Sequence, residues 1–183
     1  DDLELSFGLG EGDILYFEGN NIEILTPVAT LTGSILFKKD GTTNEILAAG
    51  SGIQFYAGTD DVGVRVSDAS FAFLLGLAGG YAFSAAGSAT VVGIPELVFN
   101  GDLSAQQNTM SYDVDLEVTV GDQTVVLNVA AGSARLGADQ ITLITPLGDV
   151  TGNFAVETSV NADSQTEVMI AASEVNLFVG DNN

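Results

Sequence analysis

The chain has 183 residues, with 25 Asp and Glu against four Lys and Arg, and a formal net charge of −21. It contains neither Cys nor His, which excludes disulfides, thiolate and iron–sulfur sites and the usual histidine-based catalytic centres. The acidity excludes nucleic-acid binding, which needs clustered cations. Because hydrophobic residues still make up 46% of the chain, the composition predicts a folded protein.

Short runs of alternating apolar residues follow one another along the chain, separated by Gly, Asn and Asp turn signals. Their Val, Ile, Thr and Phe content predicts β-strands of about five to nine residues, with no helical segment of convincing length. The runs begin at Ile22, Ser34, Ile53, Val62, Tyr81, Tyr112, Thr124, Ile141, Phe154 and Val175. An all-β fold is therefore predicted.

Residues 69–95 carry no charge, and the segment is long enough for a membrane-spanning helix. However, its flanks at Asp68 and Glu96 are acidic, and several glycines interrupt it. We therefore predict two buried strands joined by a turn at Gly79 and Gly80, and no membrane insertion.

Three sequence segments occur twice in the same order. DLELSFG from Asp2 matches DLEVTVG from Asp115, at a shift of 113 residues. LTPVATLTGSILFKK and EILAAGSGIQFYAGTDD match ITPLGDVTGNFAVET and EVMIAASEVNLFVGDNN, at shifts of 119 and 122 residues. The pattern predicts one repeat unit at residues 1–61, a related β spacer at 62–113 and a second unit at 114–183.

Every proline stands six positions before a glycine, at Pro27 and Gly33, Pro95 and Gly101, and Pro146 and Gly152. Proline cannot donate a ladder hydrogen bond, so we predict that each ends a strand and that the next strand starts at the glycine. Several strands carry apolar residues on both faces, which is typical of strands between layers or in the coils of a solenoid. The predicted architecture is an elongated, β-solenoid-like array of short strands, with a β-sandwich as the alternative.

Two of these segments, GGYAFSAAGSATVVGIPELVFNGDLS from Gly79 and TPLGDVTGNFAVE from Thr145, resemble tandem repeats of giant bacterial surface proteins. Such repeats are found alongside adhesin modules and calcium-binding haemolysin-type (RTX) modules. The resemblance implies a secreted or cell-surface stalk or adhesive fibre whose partners are neighbouring repeats of the same chain. It brings no catalytic residues. The calcium-binding nonapeptide GGxGxDxUx is absent from the sequence, so its metal ladder does not follow.

The two units close on equivalent polar turns, which contain Asp60 and Asp61 in the first and Asp181 and Asn182 in the second. Calcium prefers oxygen ligands from carboxylates, amides and carbonyls, so these four residues are the candidate metal ligands. Asp and Asn are also what tight turns require, and that simpler interpretation stays open.

Three classes of function remain. A structural or adhesive repeat segment, with possible calcium stabilisation, is favoured because repeats build length and contact area economically. A β module that binds surface glycan or protein would instead present an exposed aromatic or apolar patch. A carboxylate-based glycoside hydrolase could use acid pairs such as Asp60 and Asp61 or Glu11 and Asp13, but 25 acids produce such pairs by chance. We predict that the chain is not an enzyme.

Overall fold

The computed structural model describes residues 15–25, 29–59, 61–77, 79–160 and 165–180, and these form an all-β fold without helices. The strands are β1 (Leu15–Leu25), β2 (Ala29–Lys39), β3 (Ile46–Gly58), β4 (Gly63–Leu75), β5 (Tyr81–Val92), β6 (Val98–Asn108), β7 (Val114–Val120), β8 (Gln123–Val129), β9 (Ala134–Thr145), β10 (Gly148–Val160) and β11 (Thr166–Val179). The predicted all-β class is confirmed.

Nine strands form one antiparallel sheet in the order β1-β2-β3-β4-β5-β6-β9-β10-β11. The strands β7 and β8 leave this sheet and pair with each other as a hairpin, so that β9 pairs with β6. The β-solenoid-like arrangement is not confirmed, because the strands pair side by side in a single meander that does not close.

The uncharged segment at residues 69–95 forms the end of β4, a turn and β5, as the alternation predicts. Gly79 and Gly80 both have positive φ, at 78° and 87°, which glycine adopts without a steric penalty. None of the described residues belongs to a helix that could cross a membrane.

The strands of the large sheet are 11 to 14 residues long, which is longer than predicted. Bulges interrupt the alternation in several of them, so the sequence pattern shows only part of each of these strands. Each bulge contains a residue in the left-handed region, with φ between 52° and 58°, at Asn21, Gly52, Asp68, Gln140 and Glu174. The bulges lie at nearly the same height along the strands, so that they form a row across the sheet. Between β5 and β6 this row is displaced by two residues along the strand.

Glycines on the neighbouring strands face these bulges. A Cβ added to Gly33 would lie 3.0 Å from Cα of Ile53, the residue that follows the bulge residue Gly52. The same arrangement recurs between Gly101 and Ile141, at 3.1 Å, and between Gly152 and Val175, at 3.0 Å. The Pro-x5-Gly pattern therefore marks strands in which a residue without a side chain lies against the bulge of a neighbouring strand.

The prediction that strands start at these glycines is wrong. Strand β6 starts at Val98, just after the turn at Pro95, and β10 starts at Gly148, just after the turn at Pro146. Pro27 lies outside the described residues. The glycines are inside the strands because they are required for the close approach of a bulge and not for a turn.

The strand pairings in the two proposed repeat units follow the sequence shifts. Phe17 pairs with Phe37 in β1 and β2, and Leu136 pairs with Val156 at a shift of 119 residues in β9 and β10. Gly33 and Gly152 occupy the same register position in these pairs. The pairing of β2 with β3 recurs between β10 and β11. Paired positions of β10 lie 119 residues after those of β2, and paired positions of β11 lie 122 residues after those of β3. The division into units stays a prediction, and Asp2, Pro27 and Asn183 lie outside the described residues.

The β7–β8 hairpin covers part of one face of the sheet. Alternate hairpin side chains, among them Val120 and Leu127, are fully buried against apolar residues of β2 to β5. The packed sheet residues are Leu36, Leu47, Ala49, Ala72, Leu74 and Ala82.

Hydrogen bonds fix the hairpin at both ends. At its tip, the Ser51 hydroxyl donates to the Val120 carbonyl at 2.7 Å, and the Gly121 N–H donates to Glu18 at 3.2 Å. At its base, the amide of Asn108 donates to the carbonyls of Tyr112 and Val129, both at 2.9 Å.

The glycine and bulge positions should differ sharply in tolerance. We expect Gly33→Ala to lower the free energy of unfolding by about 2 kcal/mol, because the added methyl group meets the Cα of Ile53 and the carbonyl oxygen of Ser51 as well as the Ile53 side chain, so that moving this side chain alone does not make room for it. The matched variant Gly52→Asn should change it by less than about 0.5 kcal/mol, since the other bulges carry Asn, Asp, Gln or Glu at a similar φ. Urea unfolding measures both, and equal effects would contradict this account of the glycines.

The base of the hairpin depends on Asn108, which is 1% exposed. Asn108→Ala should lower the free energy of unfolding by about 3 kcal/mol, because it leaves the Tyr112 and Val129 carbonyls and the Met110 N–H without this partner. Asn100→Ala, eight residues earlier on β6, is the control and should have a small effect. Loss of stability of the same size in both variants would show that the buried amide has no special role.

Candidate interaction face

Alternation along β2, which contains no positive-φ bulge residue, defines the two faces of the large sheet. Leu36 packs against the hairpin, so Thr30, Thr32, Ser34 and Leu36 lie on what we call the hairpin face. The intervening residues lie on the opposite face, which we call the apolar face, and they are Leu31, Gly33, Ile35 and Phe37.

Strand register carries this assignment across the sheet. From Phe37, paired residues on the apolar face run through Ala48, Phe73 and Phe83 to Gln107. After each bulge the parity reverses, so that Ile53 and Phe55 follow Ala48 and Gly50 on the same face. Eight of the ten phenylalanines lie there, at Phe17, Phe37, Phe55, Phe71, Phe73, Phe83, Phe99 and Phe154.

Charge is almost absent from the apolar face. Among the described strand residues that register places there, none is Asp or Glu, and Lys39 at the end of β2 is the one charged side chain. Acidic side chains of the same strands, and their amide side chains other than Gln107, lie on the hairpin face, where Asp102 accepts a hydrogen bond from Ser88 and Asn153 donates to Glu174. The sheet therefore separates apolar side chains from acidic ones.

The described part of the chain contributes no second layer over the apolar face, because the hairpin packs on the other side. The bulky residues on β9 to β11 are highly exposed, with Leu136 at 63%, Ile170 at 77% and Leu177 at 68%. The central phenylalanines are partly exposed. Contiguous apolar surface of this extent is rare in monomeric soluble proteins and indicates an interaction site.

A shallow hollow of about 280 Å³ lies in the middle of the apolar face. Its floor consists of small residues, including Ala69, Ala85 and Gly87, and bulkier Phe71 and Leu103 stand at its sides. Beside it, Tyr81 stacks between Phe73 and Phe83, with ring centroids 5.9 and 6.4 Å apart. The Tyr81 hydroxyl donates to Gln107 at 2.9 Å, so the polar end of this ring already has a partner.

Polar cavities lie on the hairpin face. One, of about 170 Å³, is lined by threonines of β2 together with Gln54, Tyr56 and Arg65. The guanidinium of Arg65 lies 5.9 Å from the centre of the Tyr56 ring, which leaves less of that ring for a sugar to stack on. This cavity is smaller than typical ligand pockets.

Of the four candidate calcium ligands, the structure describes Asp61, which is exposed in the bend before β4. Asp60, Asp181 and Asn182 lie outside the described residues, as do Glu11 and Asp13 of the candidate acid pair. Within the described ranges, no three acidic side chains are close enough together to hold a metal ion.

Among the described residues, shifted pKa values occur at exposed or half-exposed positions. A hydrogen bond from Tyr16, with a second from the Gly121 N–H, lowers the pKa of Glu18. The bond to Glu18 raises the pKa of Tyr16. Backbone N–H groups of Thr43 and Thr42 lower the pKa of Asp40 in its turn. Each shift has a local structural cause, and none suggests a catalytic acid.

The sequence analysis anticipated an exposed aromatic or apolar patch only for a binding module and did not locate it. The signal was present in the phenylalanines, but each bulge moves the apolar residues from even to odd positions or the reverse. A strict alternation without bulges therefore assigns apolar residues to both faces of these strands.

No protein-family model matches the sequence, and neither curated proteins nor solved structures show significant similarity to it.

Proposed function

We propose that this chain is a non-catalytic structural or adhesive segment of a larger secreted or cell-surface protein, and that it acts through its apolar face. One observation carries the proposal, namely a nine-stranded face with eight phenylalanines and, among the described residues, no carboxylate, exposed on an otherwise strongly acidic chain. Covering such a face releases water from apolar surface and is favourable by about 25 cal/mol for each Å² that is buried.

The sheet edges suit an elongated repeat array. Strands β1 and β11 each have one pairing partner among the described residues. Strand β9, which is the counterpart of β1 at a shift of 119 residues, uses its second edge to pair with β6. We propose that β1 and β11 use their second edges in the same way, with strands of neighbouring repeats of the same chain.

Binding of another protein is the second candidate function, and the same apolar face favours it. Binding of a surface glycan fits this face less well, because sugars need several hydrogen-bonding groups and the face offers few. Hydrolysis of glycosides fits it least, because the face provides no pair of carboxylates among the described residues.

Adjacent residues on β11 provide a test of the apolar face. Ile170 points to the apolar face and is 77% exposed, whereas Met169 points to the hairpin face and is 62% exposed. After dilution to the monomer, we expect Ile170→Glu to reduce binding of a hydrophobic dye and retention on a phenyl column, because it places a charge in continuous apolar surface. Met169→Glu adds the same charge and should have a much smaller effect.

Circular dichroism should show the same strand content in both variants, since both side chains are largely exposed on an edge strand. Equal loss of dye binding from the two variants, or none from either, would contradict an interaction role for the apolar face.

Calcium at Asp60, Asp61, Asp181 and Asn182 stays a proposal with its own test. Calcium at 100 times its dissociation constant should stabilise the fold by about 2.7 kcal/mol, which thermal unfolding in calcium and in chelator would detect. Magnesium should not reproduce the effect at a shaped site, because it requires a tighter octahedron. Equal melting in all three buffers would exclude bound calcium and leave these residues as turn formers.

A further inference from the structure

We infer that the occupant of the apolar face is the apolar face of a second copy of this chain, so that two sheets pack into a β-sandwich. This inference rests on the proposed function, since it names the partner of the same face. Two sheets that pack in this way lie about 10 Å apart, with side chains of both inner faces interdigitated.

The size of the face matches what a stable dimer needs. Nine strands about 4.8 Å apart, each about 12 residues long at about 3.3 Å per residue, span roughly 1,500 Å² of sheet. Stable interfaces bury about 800 Å² on each partner, and obligate homodimers bury more with a more apolar composition. The apolar face alone therefore provides enough surface.

The charge distribution allows two such strongly acidic chains to meet in one orientation. With the apolar faces together, carboxylates such as Asp102 and Asp139 stand on the outer sides, roughly 20 Å from those of the other chain. The Debye length in physiological salt is about 8 Å, so this repulsion is largely screened. Contact through the hairpin faces would instead bring the carboxylates of both chains together.

An anionic membrane is a poorer occupant than a second copy. A peripheral protein needs basic residues around its apolar surface to bind anionic lipid, and this chain has four Lys and Arg against 25 acids. A second copy requires no such residues. Lys39, the one charged side chain that the described strands place on the apolar face, ends β2 and is exposed, so it belongs to the rim of the interface.

The shape of the apolar face also suits packing against a second copy. The central hollow of about 280 Å³ has a floor of small residues, while rings such as Phe73 and Phe83 stand on neighbouring strands. In a twofold arrangement each copy supplies both features to the other, so bulky side chains of one sheet can enter the hollow of its partner.

Sedimentation of the full chain over a range of concentrations, in physiological salt, tests the inference. The wild type should sediment as a dimer. Leu136→Glu places a carboxylate on the apolar face of β9, twice in each symmetric dimer, and should weaken association at least about 100-fold. Ile144→Glu, on the hairpin face of the same strand, carries the same charge and should leave the dimer intact.

A labelling experiment keeps the test independent of whether Leu136→Glu folds. Because the chain has no Cys, single-cysteine variants Leu103→Cys and Asp102→Cys compare adjacent positions of β6 on the two faces. A maleimide should react at least about 10-fold more slowly at position 103, and dilution to monomer should remove the protection.

The outcomes separate the inference from the proposed function. A wild-type monomer whose dye binding is abolished by Ile170→Glu would overturn the second copy as the partner and leave the apolar face as a contact surface. A monomer that binds no dye would overturn both. A dimer that Leu136→Glu does not weaken, or in which position 103 reacts as fast as position 102, would place the contact elsewhere and overturn the inference.

Discussion

The close approach of bulged strands to glycines is the constraint on which the large sheet depends. Where one strand holds an extra residue in the left-handed region, its neighbour needs a position without a Cβ, as at Gly33, Gly101 and Gly152. A shift of one residue in a pairing that contains a bulge would place a side chain against backbone at this level and would also reverse the faces. These few contacts fix the register of the pairings that contain bulges, and with it the composition of both faces along those strands.

Because the register is fixed, one face of the single sheet can be apolar while the other carries acidic side chains. The acids among the described residues lie on the hairpin face, on the exposed side of the β7–β8 hairpin, at bulges or in turns and loops, and none lies on the apolar face. Acidity keeps the chain soluble and disfavours nonspecific association, since most approaches bring carboxylates together. When two copies of the chain approach each other through their apolar faces, by contrast, their carboxylates are not brought into contact.

The sequence predicted the strands, but their lengths and the apolar face depend on the β-bulges, which the sequence does not show directly. The turn at Gly79 and Gly80 follows from local chemistry and was predicted correctly. Four predicted runs begin directly after a bulge residue, at Ile22, Ile53, Ile141 and Val175, because the alternation restarts there. A left-handed Gln140 or Glu174 has no distinctive sequence signal, since these residues rarely adopt that conformation. Of the four predicted metal ligands the structure describes one, Asp61, and the pairing that brings the phenylalanines together is long-range.

The β7–β8 hairpin determines which face of the sheet remains available. It enters between β6 and β9, where the chain leaves the sheet at the buried amide of Asn108, and it covers the small apolar part of the hairpin face around Ala49 and Ala72. A projecting hairpin on that side prevents flat contact with another sheet. The opposite face has no such obstacle among the described residues, so its nine strands can meet a flat partner along their whole length. The position of this one hairpin in the chain therefore selects the apolar face as the surface on which a second layer can form.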